Sequence, residues 1–219
     1  MAHPTRLWGY FRSSCSYRVR IALNLKSIPY EHAGVNLLKA EHKNAAYQQL
    51  SPLPLVPTLE IDGLKLSQSL AILEYLEETR PQVPLLPAAA GDRAKVREVV
   101  MVMAADTQPI QNLAVLNHVA ELTGDPDVKK TWALHYIRRG LAGVERLISD
   151  HGGRFAVGST PTLADVCLVP QLYNAARFGV DLAVEFPRCA AAGEAAGELV
   201  AFQQADPHVQ PDCPADLRK

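Results

Sequence analysis

Three prolines within seven residues, Pro81, Pro84 and Pro87, divide this chain of 219 residues into two stretches of different character. Proline lacks the amide proton that a helix interior or a central strand needs. The run Arg80-Pro81-Gln82-Val83-Pro84-Leu85-Leu86-Pro87 therefore reads as a linker. Before it, short β-prone segments alternate with helical ones; after it come long amphipathic stretches with almost no strand signal. The expectation is a fold that is α/β plus all-α, with one domain at residues 1–84 and a second, all-helical, at 92–219. Hydrophobic residues make up 48% of the chain, enough to fill a core without disulfides or metals.

In the first stretch, Leu7 to Phe11 and Tyr30 to Val35 suit strands. Thr58 to Ile61 and Leu64 to Leu66 flank Asp62-Gly63, a dipeptide made for a tight hairpin. Helices are predicted over Cys15–Lys26, Glu41–Leu50 and Ser69–Thr79, giving the order β-α-β-α-β-β-α. Pattern alone does not decide Arg18 to Lys26, where apolar residues alternate as in a strand. Good helix formers and an upstream serine cap favour helix there. In the second stretch, helices are predicted from an Asp92 N-cap to an interruption at Pro109, from Val128 to Ser149 and after Pro187. A further helix opens at Thr162-Leu163-Ala164-Asp165, a capping box with Asp in the Glu position.

A formal net charge of −1 with dispersed Lys and Arg argues against nucleic-acid or anionic-membrane partners, both of which need a basic patch. No apolar run approaches membrane-spanning length, and the first residues lack the pattern of a signal peptide. Cys15, Cys167, Cys189 and Cys213 stand far apart, with no C-x-x-C pair and no metal-ligand spacing. The expectation is a cytoplasmic protein with reduced thiols and no metal.

Three places can carry chemistry. Phe11 to Arg18 runs from a strand end into a helix start, where free amides and the helix dipole favour an anion. A thiolate held there, with a hydroxyl from Ser13 or Ser14, would have its pKa lowered; the competing reading is that the serines simply cap the helix. Cys15 is either a nucleophile activated by the helix end or a small packing residue. Val56-Pro57 precedes a strand, as a cis proline does, or as an ordinary loop proline does. Gln68-Ser69 opens another helix and suits a ligand carboxylate or, again, a cap.

The run Tyr10-Phe11-Arg12-Ser13-Ser14-Cys15-Ser16-Tyr17-Arg18-Val19-Arg20-Ile21-Ala22-Leu23 resembles the signature of zeta-class glutathione transferases, the group that includes maleylacetoacetate and maleylpyruvate isomerases. The likeness continues through Val56-Pro57-Thr58-Leu59, Gln68 to Ile72, Gln108 to Leu113, Thr162 to Asp165, Leu168 to Gln171 and the tail from Gln210. It thus covers nearly the whole chain. It implies a thioredoxin-like domain followed by a helical one, a homodimer, and glutathione as cofactor.

By the same resemblance, Ser13, Ser14, Cys15, Ser16, Tyr17 and Arg18 surround the glutathione sulfur, with Ser14 the chief thiolate partner. Val56, before a cis Pro57, pairs with the cysteinyl backbone, and Gln68 and Ser69 hold the γ-glutamyl carboxylate. His42 reaches the glycyl end, and Gln108, Asn112, Leu113 and Ala114 approach from the helical domain. Arg12 and Arg177 anchor the carboxylates of a small dicarboxylate substrate. The implied chemistry is thiolate addition to a cis alkene, rotation and elimination, turning maleylacetoacetate into fumarylacetoacetate. Maleylpyruvate isomerisation and conjugation or dehalogenation of α-halo acids begin from the same thiolate. A non-catalytic scaffold and a thiol-disulfide oxidoreductase using Cys15 are readings of other classes. Two departures from the pattern stand out: Pro54-Leu55, where some maleylacetoacetate isomerases carry a polar residue, and Leu113-Ala114, where a maleylpyruvate isomerase can present arginine.

Overall fold

A computed structural model describes residues 4–218. It divides into two compact units: residues up to Pro84 together with those from Leu199 onward, and Leu85–Glu198.

The first unit follows the expected order: β1 (Arg6–Gly9), α1 (Ser14–Leu25), β2 (Glu31–Gly34), α2 (Ala45–Gln48), β3 (Thr58–Ile61), β4 (Leu64–Ser67) and α3 (Ser69–Thr79). The sheet runs β2-β1-β3-β4, with β1 parallel to β2 and antiparallel to β3, and β3 antiparallel to β4. Leu7, Leu59 and Ile61 of the sheet are buried with Val19 and Leu23 of α1 and Ile72 and Leu76 of α3. Each such side chain contributes roughly 1.5–3 kcal/mol of transfer free energy. The β3–β4 turn has positive φ at both central residues, 52° at Asp62 and 78° at Gly63, as a type I′ hairpin requires.

Segment 18–26 is helical, and its strand-like alternation has a specific cause. Arg18 and Arg20, polar by type, are both interior, with 1% and 0% exposure. The helix ends at Lys26, whose buried ammonium donates to Glu77 Oε2, Arg80 O and Val83 O at 2.9, 2.9 and 2.8 Å. The predicted helix Glu41–Leu50 is corrected to a 3₁₀ turn, Glu41–Lys43, followed by the single turn of α2. Asn44 between them is extended, and the Glu41 carboxylate is occupied in accepting the Asn36 amide. Only Tyr47 is buried in this stretch, too little apolar surface to hold a longer helix.

The second unit comprises α4 (Ala90–Ala104), α5 (Leu113–Thr123), α6 (Val128–His151), α7 (Leu163–Arg177), α8 (Leu182–Glu185) and α9 (Pro187–Gly197). α7 packs against α4 and α9, and α6 against α4, α5 and α9. Along α6 the buried residues Ala133, Ile137, Gly140, Leu141, Val144 and Ile148 recur at helical spacing. Gly140 lies so close to Thr107 that an added Cβ would sit 2.0 Å from its hydroxyl. The capping box that opens α7 is present: Thr162 accepts from Ala164 N, and Asp165 accepts from Thr162 N at 2.8 Å. Asp92 is not the N-cap of α4; Ala89 occupies that place, and Asp92 lies in the first turn, where its charge suits the helix dipole.

The expectation that 92–219 belongs to one domain also changes. The helix α10 (Val200–Ala205) packs on α1, and the tail after it lies with the first unit. Long-range polar bonds bring this about, because Asn24 donates to Ala201 O and Arg20 to Ala205 O.

Candidate active site

The turn from β1 into α1 is built mostly of groups that hold one another. Ser13 is the N-cap, its hydroxyl accepting from the Ser16 amide at 3.2 Å, so the capping role considered for it is real. Ser16 is fully buried and its hydroxyl accepts from the Tyr10 amide. Tyr17 is buried, with the Arg20 guanidinium 5.2 Å from its ring centroid. Arg12 is part-exposed and stacks over Phe11 at 5.7 Å. At the mouth of the helix stand Ser14, just buried, and Cys15, part-exposed.

Arg18 links this helix end to the next one. Its Nη1 lies 3.2 Å from the Ser69 hydroxyl and 3.7 Å from Cys15 Sγ, so a buried guanidinium joins the first turn of α1 to the first residue of α3. Gln68, ahead of Ser69, has φ 72° and ψ 111°, a conformation L residues seldom take, and makes no side-chain cap. Strained backbone of this kind is retained where it directs a side chain or a peptide group. The Val56-Pro57 bond is cis. His42 Nδ1 is buried with no hydrogen-bond partner among the described residues; burial foremost, and Lys43 second, lower the pKa of this ring.

Two residues that sequence reasoning did not single out complete the turn. Arg20, wholly buried, donates to the carbonyls of Phe11, Tyr10 and Ala205; burial lowers its pKa to about 10, so it remains a cation at neutral pH. Asp212 accepts the Phe11 amide at 2.8 Å, and its other oxygen lies 2.8 Å from His32 Nε2. Burial pushes the Asp212 carboxyl up, but the His32 and Phe11 contacts outweigh it and hold the pKa below the ordinary value. A cavity of about 520 Å³ in the same unit, lined by Trp8, Val35, Tyr47, Leu50 and Lys65 among others, includes none of the predicted site residues.

In the helical unit a chain of amides leads to Arg177. Gln171 accepts from Gln111, Gln111 accepts from Asn174, and Asn174 accepts from Arg177 Nη1 at 3.0 Å. The Arg177 guanidinium also lies 5.9 Å from the Tyr173 ring centroid. Arg177 is exposed, yet these contacts orient its guanidinium, and in the sequence it stood out through the family resemblance. Asn112 is the N-cap of α5, accepting from Ala114 N at 3.0 Å. Leu113 and Ala114 form the first turn of that helix, and Gln108 lies in the turn after α4. Among the described residues no cluster of His, Cys, Asp or Glu is arranged to hold a metal ion, and no helix is long and apolar enough to cross a membrane.

The sequence matches two family models, glutathione S-transferase N-terminal domain over residues 3–78 and glutathione S-transferase C-terminal domain over residues 118–192. It is 48% identical to a probable maleylacetoacetate isomerase 2 of Drosophila melanogaster, over 96% of this chain and 91% of that one. A solved maleylpyruvate isomerase, a bacterial glutathione transferase of the zeta class, superposes with a TM-score of 0.92 at 42% identity, covering 95% of this chain and all of that one. A maleylacetoacetate isomerase from Anaeromyxobacter dehalogenans, solved with dicarboxyethyl glutathione and citrate in its active site, gives 0.88 at 45% identity over 96% and 98% of the two chains.

Proposed function

This chain belongs to the glutathione S-transferase family, in its zeta class, and on that premise we propose that it is a glutathione-dependent isomerase acting on maleylacetoacetate. The observation that carries the reading is the pairing of two helix N-termini, α1 at Ser14-Cys15 and α3 at Ser69, through the buried Arg18. One suits a thiolate and the other a carboxylate, two of the anionic groups that a γ-glutamyl thiol peptide presents. The residues fit that cofactor in another respect. His42 keeps a buried ring nitrogen without a partner among the described residues, as a residue that completes its bonding on a ligand does.

When bound, glutathione supplies a nucleophilic thiolate, whose reversible addition frees the cis double bond to rotate. We assign the hydroxyl of Ser14 to the sulfur, with Cys15 beside it and Ser13, Ser16, Tyr17 and Arg18 shaping the turn. Gln68 and Ser69 take the γ-glutamyl carboxylate, Val56 the peptide backbone and His42 the glycyl end. Arg12 and Arg177 would bind the substrate carboxylates, and their positive charge would favour negative charge developing beside them. Gln108, Asn112, Leu113 and Ala114 are assigned to ligand contact on the family pattern alone. Residues 1–84 form the glutathione-binding part in this reading, α4 to α9 the substrate part, and the working form is a cytoplasmic homodimer.

Maleylpyruvate is the second reading, favoured by the 0.92 TM-score to a maleylpyruvate isomerase. A spectrophotometric assay with both maleyl compounds, with and without glutathione, decides between them. Glutathione-dependent turnover preferring maleylacetoacetate supports the proposal. Preference for maleylpyruvate replaces its substrate, and glutathione binding without either turnover removes it.

A further inference from the structure

Tyr10 and Phe11 carry the chain from β1 into the turn assigned to the thiolate, and every backbone polar group on them has a protein partner. The Tyr10 amide donates to Ser16 Oγ at 3.3 Å, and its carbonyl accepts from Ser13 N at 3.0 Å and Arg20 Nη1 at 3.5 Å. The Phe11 carbonyl accepts from Arg20 Nη2 at 2.9 Å, and its amide donates to Asp212 Oδ2 at 2.8 Å. Arg20 Nε reaches on to Ala205 O at 3.0 Å. The turn is thus gripped by carbonyl and by amide, one grip ending in α10 and the other in the tail after it.

The seat for Asp212 is built to fit. His32 Nε2 on β2 lies 2.8 Å from its second oxygen. Gly34 on the same strand leaves the space, since a Cβ there would come within 2.9 Å of the Asp212 Cβ. Cys213 packs with Tyr10 and Phe11, and Leu37 and Val56 close the cluster. The titratable groups around Asp212 are His32, Arg20, Cys213 and Arg218, with Asp206 and Asp216 beyond them. A carboxylate bonded to an amide is a short, charge-assisted contact, about twice as strong as a neutral one.

We propose that Asp212 is a positioning residue for thiolate activation, holding the Phe11 amide so that the first amides of α1 and the Ser14 hydroxyl face the bound sulfur. The inference rests on the reading that the bound ligand is a glutathione thiolate. Asp212 touches neither cofactor nor substrate in it; it acts through the backbone of residues 11–14.

The test compares wild type with Asp212→Ala, Asp212→Asn and Gly34→Ala. The bound thiol is titrated by the ultraviolet absorbance of the thiolate in the glutathione complex, and Phe11 amide exchange is followed in the ligand-free proteins. Asp212→Ala should raise the bound thiol pKa enough to leave about tenfold less thiolate below it, with at least about tenfold faster Phe11 exchange. Asp212→Asn keeps an oxygen for the amide and should stay within about twofold of wild type on both measures. Gly34→Ala, which displaces the tail without touching the turn, should follow Asp212→Ala, and it carries the test if that variant fails to fold. Faster Phe11 exchange with an unchanged thiol pKa overturns the proposal, and so does Asn behaving like Ala. A wild-type complex whose thiol is not ionised at neutral pH would instead remove the function reading, and this inference with it.

Discussion

Lys26 should be among the most costly side chains to remove from this protein, although nothing in the proposed chemistry involves it. Its ammonium has three protons and three acceptors, Glu77 Oε2, Arg80 O and Val83 O, all within 2.9 Å. Both charged partners are interior, with side-chain exposures of 1% for Lys26 and 9% for Glu77. Lys26→Met keeps the apolar stem but deprives a buried carboxylate of its cation and two carbonyls of a donor. Breaking a buried pair from one side costs about 3–5 kcal/mol, a large share of the roughly 5–15 kcal/mol that holds a typical domain. Lys26→Met combined with Glu77→Leu removes both charges of the pair at once, so its loss should fall well below the sum of the two single variants. Urea unfolding of the ligand-free protein, followed by circular dichroism at one protein concentration, measures all four members of the cycle. A single variant losing less than about 1 kcal/mol, or a double variant losing the sum of its singles, would refute the argument.

Three further outcomes are expected. Ser14→Ala should lose most turnover while leaving glutathione binding largely intact by calorimetry, and equal loss of both would mark Ser14 as a binding or folding residue. Arg177→Ala should raise KM for a dicarboxylate substrate far more than for a neutral electrophile; steady-state kinetics with one of each checks this, and equal effects would end its anchoring role. Burial pushes the Asp165 carboxyl up to about 6, against the amides of Ala156 and Thr162, which act the other way. Its folded-state pKa thus lies above the ordinary 3.8, so its contribution to stability is full below that value and is lost as pH rises through 6. Relative to Asp165→Asn, the wild type should lose up to about 1.4 kcal/mol per pH unit across that window. Urea unfolding at stepped pH reads the difference, and parallel curves would contradict it.

What the sequence made legible was local. The Asp62-Gly63 hairpin, the Thr162–Asp165 capping box, the linker prolines and the serine cap at Ser13 each act within a few residues, and each is found where its chemistry puts it. The interior cations were not legible. Arg18, Arg20 and Lys26 have the composition of a solvated helix face, and they are buried only because their acceptors come from distant segments: Ser69, Ala205, Glu77. The same holds for Asp212, a tail carboxylate until its pairing with Phe11 is seen. The break at Asn44 was hidden for a different reason, since residues 41–50 have adequate helix propensity but little to bury. Of the candidate site, the two helix starts and Arg18 were named, whereas the bridge that Arg18 makes between them and the part of Arg20 and Asp212 were not visible.

The bond between Phe11 and Asp212 spans 201 residues of chain. A ribosome delivers residues in order, so the β1–α1 turn waits for 201 further residues before its carboxylate partner exists. The helical unit, Leu85–Glu198, is made in full during that interval and can fold first, reversing the usual order in which early segments settle before later ones. Contacts this remote in sequence also close slowly, because the entropy of the intervening loop is spent before they form. The turn assigned to the thiolate should thus be among the last parts of the nascent protein to reach its final shape.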